Sequence, residues 1–397
     1  MTPPTPIRTQ VAIVGAGPAG LMLSHLLSSA GIESVAVDLR SRREIEETQR
    51  AGILEQGSVD LLVETGVSDR VHRDGYRHGG IELAFGGASH RIDFEGLVGA
   101  AAQLYPQTDV FIDLADARAR DGADVRFGVT DVGVGDLTSE RPVLRFTDAE
   151  GVAHEVRADF LVGTDGSRSL CRREVPEQER TQYFREYPFA WFGILAEAPP
   201  SAPELIYNHS PRGFALISQR TETLQRMYFQ CDPAADVGDW SDDRIWSELQ
   251  ARVGHNGHVL QEGPITSRTV LPFRSFVQEP MHHGRLVLAG DAAHTVPPTG
   301  AKGLNLALAD VRVLAEELER AVAQRSTEPL ATYSERALGR VWKAQHFSYW
   351  MTTMLHTLPE ATPFDVRRQE GELASLTGSP SGSAYLAEGY TGWPGQR

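Results

Sequence analysis

Three clusters of glycine and aspartate could do chemistry: Gly15-Ala-Gly17-Pro-Ala-Gly20 with Asp38 beyond it, Asp165-Gly166, and Gly290-Asp291 leading into Pro297-Pro298-Thr-Gly300-Ala-Lys302-Gly303-Leu304-Asn305. The first has GxGxxG spacing. Gly15 permits a tight turn, Gly17 lets backbone approach a pyrophosphate, and Gly20 lets a helix pack closely on a strand, with helix N-terminal amides facing the anion. Asp38 stands where an adenosine ribose hydroxyl is expected. Alone, this cluster does not separate bound FAD from exchanging NAD. The Gly290-Asp291 turn points to a flavin: Asp291 can accept from a ribityl hydroxyl, the constrained turn can place backbone against an isoalloxazine ring, and the following helix N-terminus stabilises negative charge on it. Asp165-Gly166 reads either as a contact to the cofactor edge or as an Asx turn organising its own loop.

Positioning these residues requires elements that return to one place from distant sequence. Thr9–Val14 reads as a buried strand, Leu21–Leu27 as a helix and Ser34–Asp38 as a second strand. Ile81–Phe85 and His90–Phe94 form a predicted hairpin, Thr108–Arg118 a helix, and Val143–Phe146 and His154–Val162 further strands. Pro203–Asn208, Gly213–Ser218 and Arg226–Gln230 imply an antiparallel sheet covering a ligand. A helix capped by Asp239 or Ser241 runs through Arg252. The expected fold is α/β: a Rossmann-like FAD-binding domain assembled from 1–77, 103–180 and 271–350, an antiparallel-sheet substrate domain from 78–102 and 181–270, and a C-terminal helical region, 351–397.

Composition narrows the class. A chain of 397 residues with 41% hydrophobic content supports two or three domains. A net charge of -15 argues against nucleic acid as a partner, so an anionic substrate would need a local arginine site. No apolar run approaches the roughly 20 residues that cross a bilayer, and Met1–Arg8 lacks the apolar segment of a secretory signal. Cys171 and Cys231 imply neither a metal cluster nor a disulfide framework, and the expected location is cytoplasmic.

Longer stretches carry a resemblance. Arg50–Gln56, Tyr187–Trp191, Leu205–Tyr207, Pro211–Leu216, Gly290–Asn305, Trp342–Thr352 and Ala387–Tyr390 resemble the single-component FAD-dependent aromatic hydroxylases, specifically those that act on 4-hydroxybenzoate, over nearly the whole chain. The resemblance implies ortho-hydroxylation of 4-hydroxybenzoate to 3,4-dihydroxybenzoate with reduced FAD and molecular oxygen. It implies that Ser218, Arg220 and Tyr228 bind the substrate carboxylate, for which a planar guanidinium suits better than lysine. Tyr207 would contact the substrate hydroxyl and Tyr390 would support it. His78 would form the outer, solvent-exchanging end of a proton relay, and the Pro298 carbonyl would accept near the substrate hydroxyl. FAD contacts are implied for Gly15, Gly17, Asp38, Arg50, Gln107, Asp291, Leu304 and Asn305, with charge from Lys302 and Arg226. Arg168, Arg172 and Arg274 are implied contacts of a nicotinamide coenzyme.

One departure concerns the electron donor. The best-known NADPH-using member carries arginine, tyrosine and arginine where this chain has Leu39, Glu44 and Thr48. Losing two cationic forks and gaining an acid disfavours a 2'-phosphate, although Arg40, Arg42 and Arg43 offer compensation. NADH is therefore the expected donor, with NADPH tolerated. The family usually forms homodimers. A hydroxylase of a modified hydroxybenzoate and a non-catalytic nucleotide-binding protein are the alternatives; a plain NAD dehydrogenase accounts only for the first glycine cluster.

Overall fold

The computed structural model describes residues 6–48 and 52–394. Val11–Val14, buried at every position, pairs in parallel with Phe160–Gly163 on one side and Ser34–Asp38 on the other. Both faces of such a central strand are covered, which is why it reads as a continuous apolar run. Asp124–Phe127 extends the sheet beyond Ser34–Asp38. Leu286–Leu288 adds in parallel beyond Phe160–Gly163, and His282–His283 closes that edge antiparallel. Adjacent strands of one sheet thus come from three distant stretches of chain. The Pro18–Ser29 helix begins at Gly17 with proline in its first turn. A Cβ at Gly20 would collide with the Gly15 carbonyl oxygen, so helix and strand approach as closely as they do only with glycine there.

The expected strand His154–Val162 is two strands. Ala153–Arg157 joins a four-stranded sheet with Ile7–Arg8, Val143–Thr147 and Thr130–Gly135, whereas Phe160–Gly163 joins the parallel sheet. The break lies where Ala158 donates to the Pro142 carbonyl and Asp159 to that of Gln10, so the backbone changes partners.

A second sheet has eight strands in the order His294–Thr295, Ile265–Glu279, Thr181–Ala196, Gln225–Cys231, Ala215–Gln219, Ile206–Asn208, Gly80–Phe85 and Ala88–Asp93. The expected strands pair antiparallel, and one further junction, Ile206–Asn208 with Gly80–Phe85, is parallel. Those two strands belong to separate stretches of chain and no tight turn joins them, so nothing local imposes antiparallel pairing. Ile265–Glu279 and the Glu328–Leu355 helix are each continuous across an expected domain boundary, at 270/271 and 350/351.

Period-two alternation divides this sheet's side chains. Phe192, Ile194, Ile217, Met227 and Phe229 pack on one face with Ile245, Trp246 and Leu249 of the Asp242–Gly254 helix. Ser241, one of two expected caps, starts that helix by accepting from the Arg244 amide. Trp191, Tyr207, Phe214, Leu216 and Tyr228 point to the other face, against Phe347, Met351, Met354, Leu373 and Tyr390 of the C-terminal helices. A further three-stranded sheet has the order Ile53–Leu54, Ala102–Leu104, Tyr76–His78. Among the described residues no helix is long and apolar enough to cross a membrane, and no group of three His, Cys, Asp or Glu side chains could hold a metal ion.

Leu249 has no exposed surface and anchors its helix to the sheet. Leu249→Ala is expected to cost about 2–5 kcal/mol through lost burial and a residual cavity, read as a lower urea midpoint with FAD content unchanged at low denaturant.

Candidate active site

Two helix N-termini converge on the glycine clusters. Pro18–Ser29 and Gly303–Gln324 pack together, and neither has a side-chain cap on its first amides. The first free helical amides on the longer helix belong to Gly303, Leu304 and Asn305, since Leu306 is the first to bond back, to Lys302. A Cβ at Gly17 would meet nothing within 4 Å, leaving open space beside the first helix N-terminus, while one at Gly290 would press on Ala307 and approach Ala19. Asp38 accepts from the Ala16 and Arg40 amides at 2.9 Å each. A carboxylate has about four acceptor positions, so the ribose role remains compatible with these bonds. Open space beside uncapped helix amides, with an acid that keeps acceptor capacity at its edge, fits FAD.

The Gly290-Asp291 turn is tied from below. Asp310 accepts from the Gly290 amide at 2.8 Å and from His294 Nε2 at 2.6 Å; His294 and Asp310 are both 2% exposed. Burial works against the imidazolium, but the charge and hydrogen bond of Asp310 outweigh it and hold His294 above its ordinary pKa. Asp165 organises its own loop, accepting from Ser169 Oγ and from the Leu170 and Cys171 amides. Arg172 bridges the two aspartate turns, donating to the Ser167 and Ala292 carbonyls at 2.6 and 2.9 Å while its guanidinium lies 4.5 Å over Phe276.

The loop before the long helix is fastened by two buried groups. Asn305 accepts from the Glu55 amide and Ser58 Oγ and donates to the Ile53 and Ala301 carbonyls. Lys302, expected to contribute charge near the flavin, is 1% exposed and donates to Glu55 Oε1 at 2.5 Å and to the Tyr390 carbonyl at 3.1 Å. Arg340 takes the other oxygen of Glu55 at 2.8 Å. The Lys302 ammonium is thus neutralised locally, and burial draws its pKa down against the pull of Glu55.

Tyr207 and Tyr390 meet under the eight-stranded sheet. Their hydroxyls are 2.8 Å apart, and both residues are at most 2% exposed. Burial pushes both phenols above their usual pKa. Tyr207 also donates to the Thr299 carbonyl of the proline loop at 3.3 Å, and the neighbouring Pro298 carbonyl accepts from the Ala301 amide. Along the same face the strand register runs Tyr207, Leu216, Tyr228, Gly193. Ser218 and Arg226 lie opposite one another in the next row, and Arg220 follows at the strand end. Arg226 lies 5.3 Å from the Tyr228 ring, and its buried Nη1 has no hydrogen-bond partner. Burial and the nearby Arg226 charge both lower the pKa of Arg220. Two crowded guanidiniums beside hydroxyls form a site suited to a carboxylate.

His78 departs from its expected position at the solvent end of a relay. It is 1% exposed because the Tyr76–His78 strand pairs with Ala102–Leu104 and turns the ring inward. Burial lowers its pKa, Nδ1 has no partner, and Nε2 is 3.4 Å from Gln219 Nε2. Arg168 and Arg274 are exposed at the surface near Arg172, with Arg274 donating to Ser167 Oγ at 2.9 Å. Gln107 opens the Gln107–Arg120 helix. Arg50 lies outside the described residues. Sequence reasoning assigned no role to Glu55, Arg340, Asp310 or His356. Single charged or polar residues inside helices and loops carry no spacing signal, and their partners are remote in sequence.

The FAD binding domain family matches residues 8–348. The chain is 44% identical over 390 residues to p-hydroxybenzoate hydroxylase of Acinetobacter baylyi, covering 98% of this chain and 96% of that one. It is 26% identical to a probable NADH-specific resorcinol 4-hydroxylase of Rhodococcus jostii, over 81% of this chain and 61% of the relative. Among solved structures, p-nitrophenol 4-monooxygenase of Pseudomonas putida superposes with a TM-score of 0.83 at 19% identity, covering 99% of this chain and 100% of that one, a likeness of fold.

Because His294 has a raised folded pKa, the stability its pair with Asp310 contributes is full below the unfolded value of about 6.5 and declines as pH rises through the folded value. Asp310→Asn should cost about 3–5 kcal/mol near pH 6 and flatten that decline. Urea unfolding of both proteins from pH 5 to 9 measures it, and parallel curves would exclude an ion pair.

Proposed function

The chain belongs to the single-component FAD-dependent aromatic hydroxylases, and from that premise we propose that it hydroxylates 4-hydroxybenzoate ortho to the phenol, giving 3,4-dihydroxybenzoate. The reading is supported chiefly by one juxtaposition: the Tyr207–Tyr390 pair shares a sheet face with Ser218, Arg220, Arg226 and Tyr228. One end of that face suits a phenol and the other a carboxylate. In this reading Arg220 binds the carboxylate with Ser218 and Tyr228, and Arg226 adds charge toward the flavin. These contacts select which ring carbon faces the cofactor. Gly15, Gly17, Asp38, Arg50 and Gln107 would hold the ADP portion of FAD, Asp291 the ribityl chain, and the backbone of Leu304 and Asn305 the ring. When bound and reduced, FAD would supply the electrons that activate molecular oxygen, one atom of which enters the ring while the other leaves as water.

The chain's own residues prepare the substrate. Tyr207 takes the phenolic proton as its own hydroxyl proton passes to Tyr390, and Tyr390 releases one outward. The ring keeps the electron density of a phenolate. Raised phenol pKa values keep both tyrosines protonated between turnovers, so Tyr207 donates to the phenolate oxygen. His78 is the proposed outer acceptor, and its burial means that it must shift to exchange with solvent. Aromatic walls of Trp191, Phe214 and Tyr228 exclude water from the reacting ring. The enzyme is further proposed to be a homodimer in the cytoplasm, where two unlinked thiols, Cys171 and Cys231, remain reduced.

NADH is the proposed donor, with Arg168, Arg172 and Arg274 as its contacts. Of the arginines that could compensate for a missing 2'-phosphate site, Arg42 is paired with Glu46 and Asp116 and Arg43 with Glu47. Glu44 closes a capping box on Ser41, which lowers its pKa and keeps a negative charge there. These exposed pairs are individually weak, but none leaves a preformed cationic fork.

Purified protein should be yellow and should couple 4-hydroxybenzoate-stimulated NADH oxidation and oxygen uptake to 3,4-dihydroxybenzoate. Tyr207→Phe is expected to bind 4-hydroxybenzoate normally yet form product about 100-fold more slowly; unchanged coupled turnover would remove Tyr207 from the mechanism. Initial rates at matched coenzyme concentrations should favour NADH over NADPH by about tenfold in kcat/KM, or about 1.4 kcal/mol, and an NADPH preference would reject the donor assignment.

A further inference from the structure

His356 touches both walls of the aromatic chamber and has no part in the chemistry proposed above. It is 1% exposed and follows the last residue of the Glu328–Leu355 helix. Its Nδ1 lies 2.8 Å from the Thr352 carbonyl, and its Nε2 lies 2.7 Å from the Trp191 indole nitrogen. The partners decide the tautomer, since a carbonyl only accepts and an indole N–H only donates. Nδ1 therefore carries the proton and Nε2 accepts. The ring stacks on Phe189 at 4.6 Å and lies 4.4 Å from Phe214, so it has no freedom to rotate. Burial keeps it neutral, with a pKa pulled down to about 3.

Each bond leads to a different end of the proposed substrate site. Thr352 Oγ1 donates to Thr299 Oγ1 at 3.0 Å, and the Thr299 carbonyl is the one Tyr207 reaches. On the other side, the Trp191 ring lies against that of Tyr228 at 4.7 Å. Gly193 sits opposite Tyr228 in the register, where a Cβ would come within 2.7 Å of its ring. Trp191 and the bare backbone of Gly193 thereby confine Tyr228. Tyr207 and Tyr228 are two strands apart on the sheet, about 10 Å between backbones. The sheet sets that backbone spacing, but not where the two side-chain tips stop.

Resting on the proposed substrate, we propose that His356 is a positioning residue that sets the distance between the phenol-binding and carboxylate-binding ends of the site. It thereby selects acids whose carboxylate is attached directly to the ring over acids one methylene longer. A flexible side chain could make either hydrogen bond; a stacked imidazole holds donor and acceptor at a fixed separation.

The test compares kcat/KM of the FAD-loaded enzyme for 4-hydroxybenzoate and 4-hydroxyphenylacetate. His356→Asn retains a donor for Thr352 but is too short for the same side chain to accept from Trp191 as well; Trp191→Phe removes the matching donor. In both variants the preference for 4-hydroxybenzoate should fall about tenfold, within the range one methylene is worth in a fitted pocket. For His356→Asn the loss should appear in KM, with kcat for 4-hydroxybenzoate little changed; for Trp191→Phe the ratio between the two substrates is the readout. A residue that only supports the fold would depress both substrates alike, so an unchanged ratio overturns the proposal. Should His356→Asn not fold, Trp191→Phe decides alone by the same criterion. A wild-type enzyme that does not turn over 4-hydroxybenzoate would overturn the substrate reading and this inference together, whereas wild-type turnover with an unchanged ratio in the variants overturns this inference only.

Discussion

A single buried carboxylate, Glu55, joins parts of the molecule that are remote in sequence. It receives Lys302 and Arg340 on its two oxygens, while its amide donates to Asn305. Lys302 in turn reaches the Tyr390 carbonyl. Burying charges is costly unless each is paired and hydrogen-bonded, so this cluster is stable only when the N-terminal segment, the proline loop, the long C-terminal helix and the last helix have all arrived. The N-terminus of the Gly303–Gln324 helix and the Tyr207–Tyr390 pair are set by the same event. The proposed cofactor and substrate sites are therefore not independent modules.

The eight-stranded sheet contributes a different constraint. Alternation along its strands sends Trp191, Tyr207, Phe214 and Tyr228 to one face, while their neighbours bury against a separate helix. The face that receives the aromatic residues also holds Ser218 and the two arginines. The result is a buried, largely aromatic face carrying polar groups at its two ends, where hydrogen bonds and charges act with little competition from water. Depressed histidines and elevated phenols are consequences of that burial. Desolvation disfavours the charged form of each group, so these hydroxyls and imidazoles are held neutral.

Other arginines show how context alters function. Arg172, proposed above as a coenzyme contact, also joins the two aspartate turns. Arg42 and Arg43 are committed to acids on their own surface. Charge counted along a sequence does not reveal which guanidiniums are available to a ligand, because availability depends on partners supplied by other segments.

Much of the protein was legible in its sequence. GxGxxG spacing, the strand ending at Asp38 and the late Gly290-Asp291 turn are local backbone requirements, and local geometry is what spacing encodes; the Val11–Val14 and Ser34–Asp38 strands and the helix after Gly17 follow from it. The family resemblance added a set of candidate side chains at particular positions. Only the tertiary structure decided that Ile206–Asn208 pairs in parallel with Gly80–Phe85, that His78 is shut away from solvent, that Tyr207 reaches the Thr299 carbonyl, and that Glu55, Asp310 and His356 tie remote segments together. Those outcomes depend on which remote groups meet once apolar surfaces are buried, and a buried polar side chain chooses its partner by proximity in the packed core, which no periodicity along the chain records.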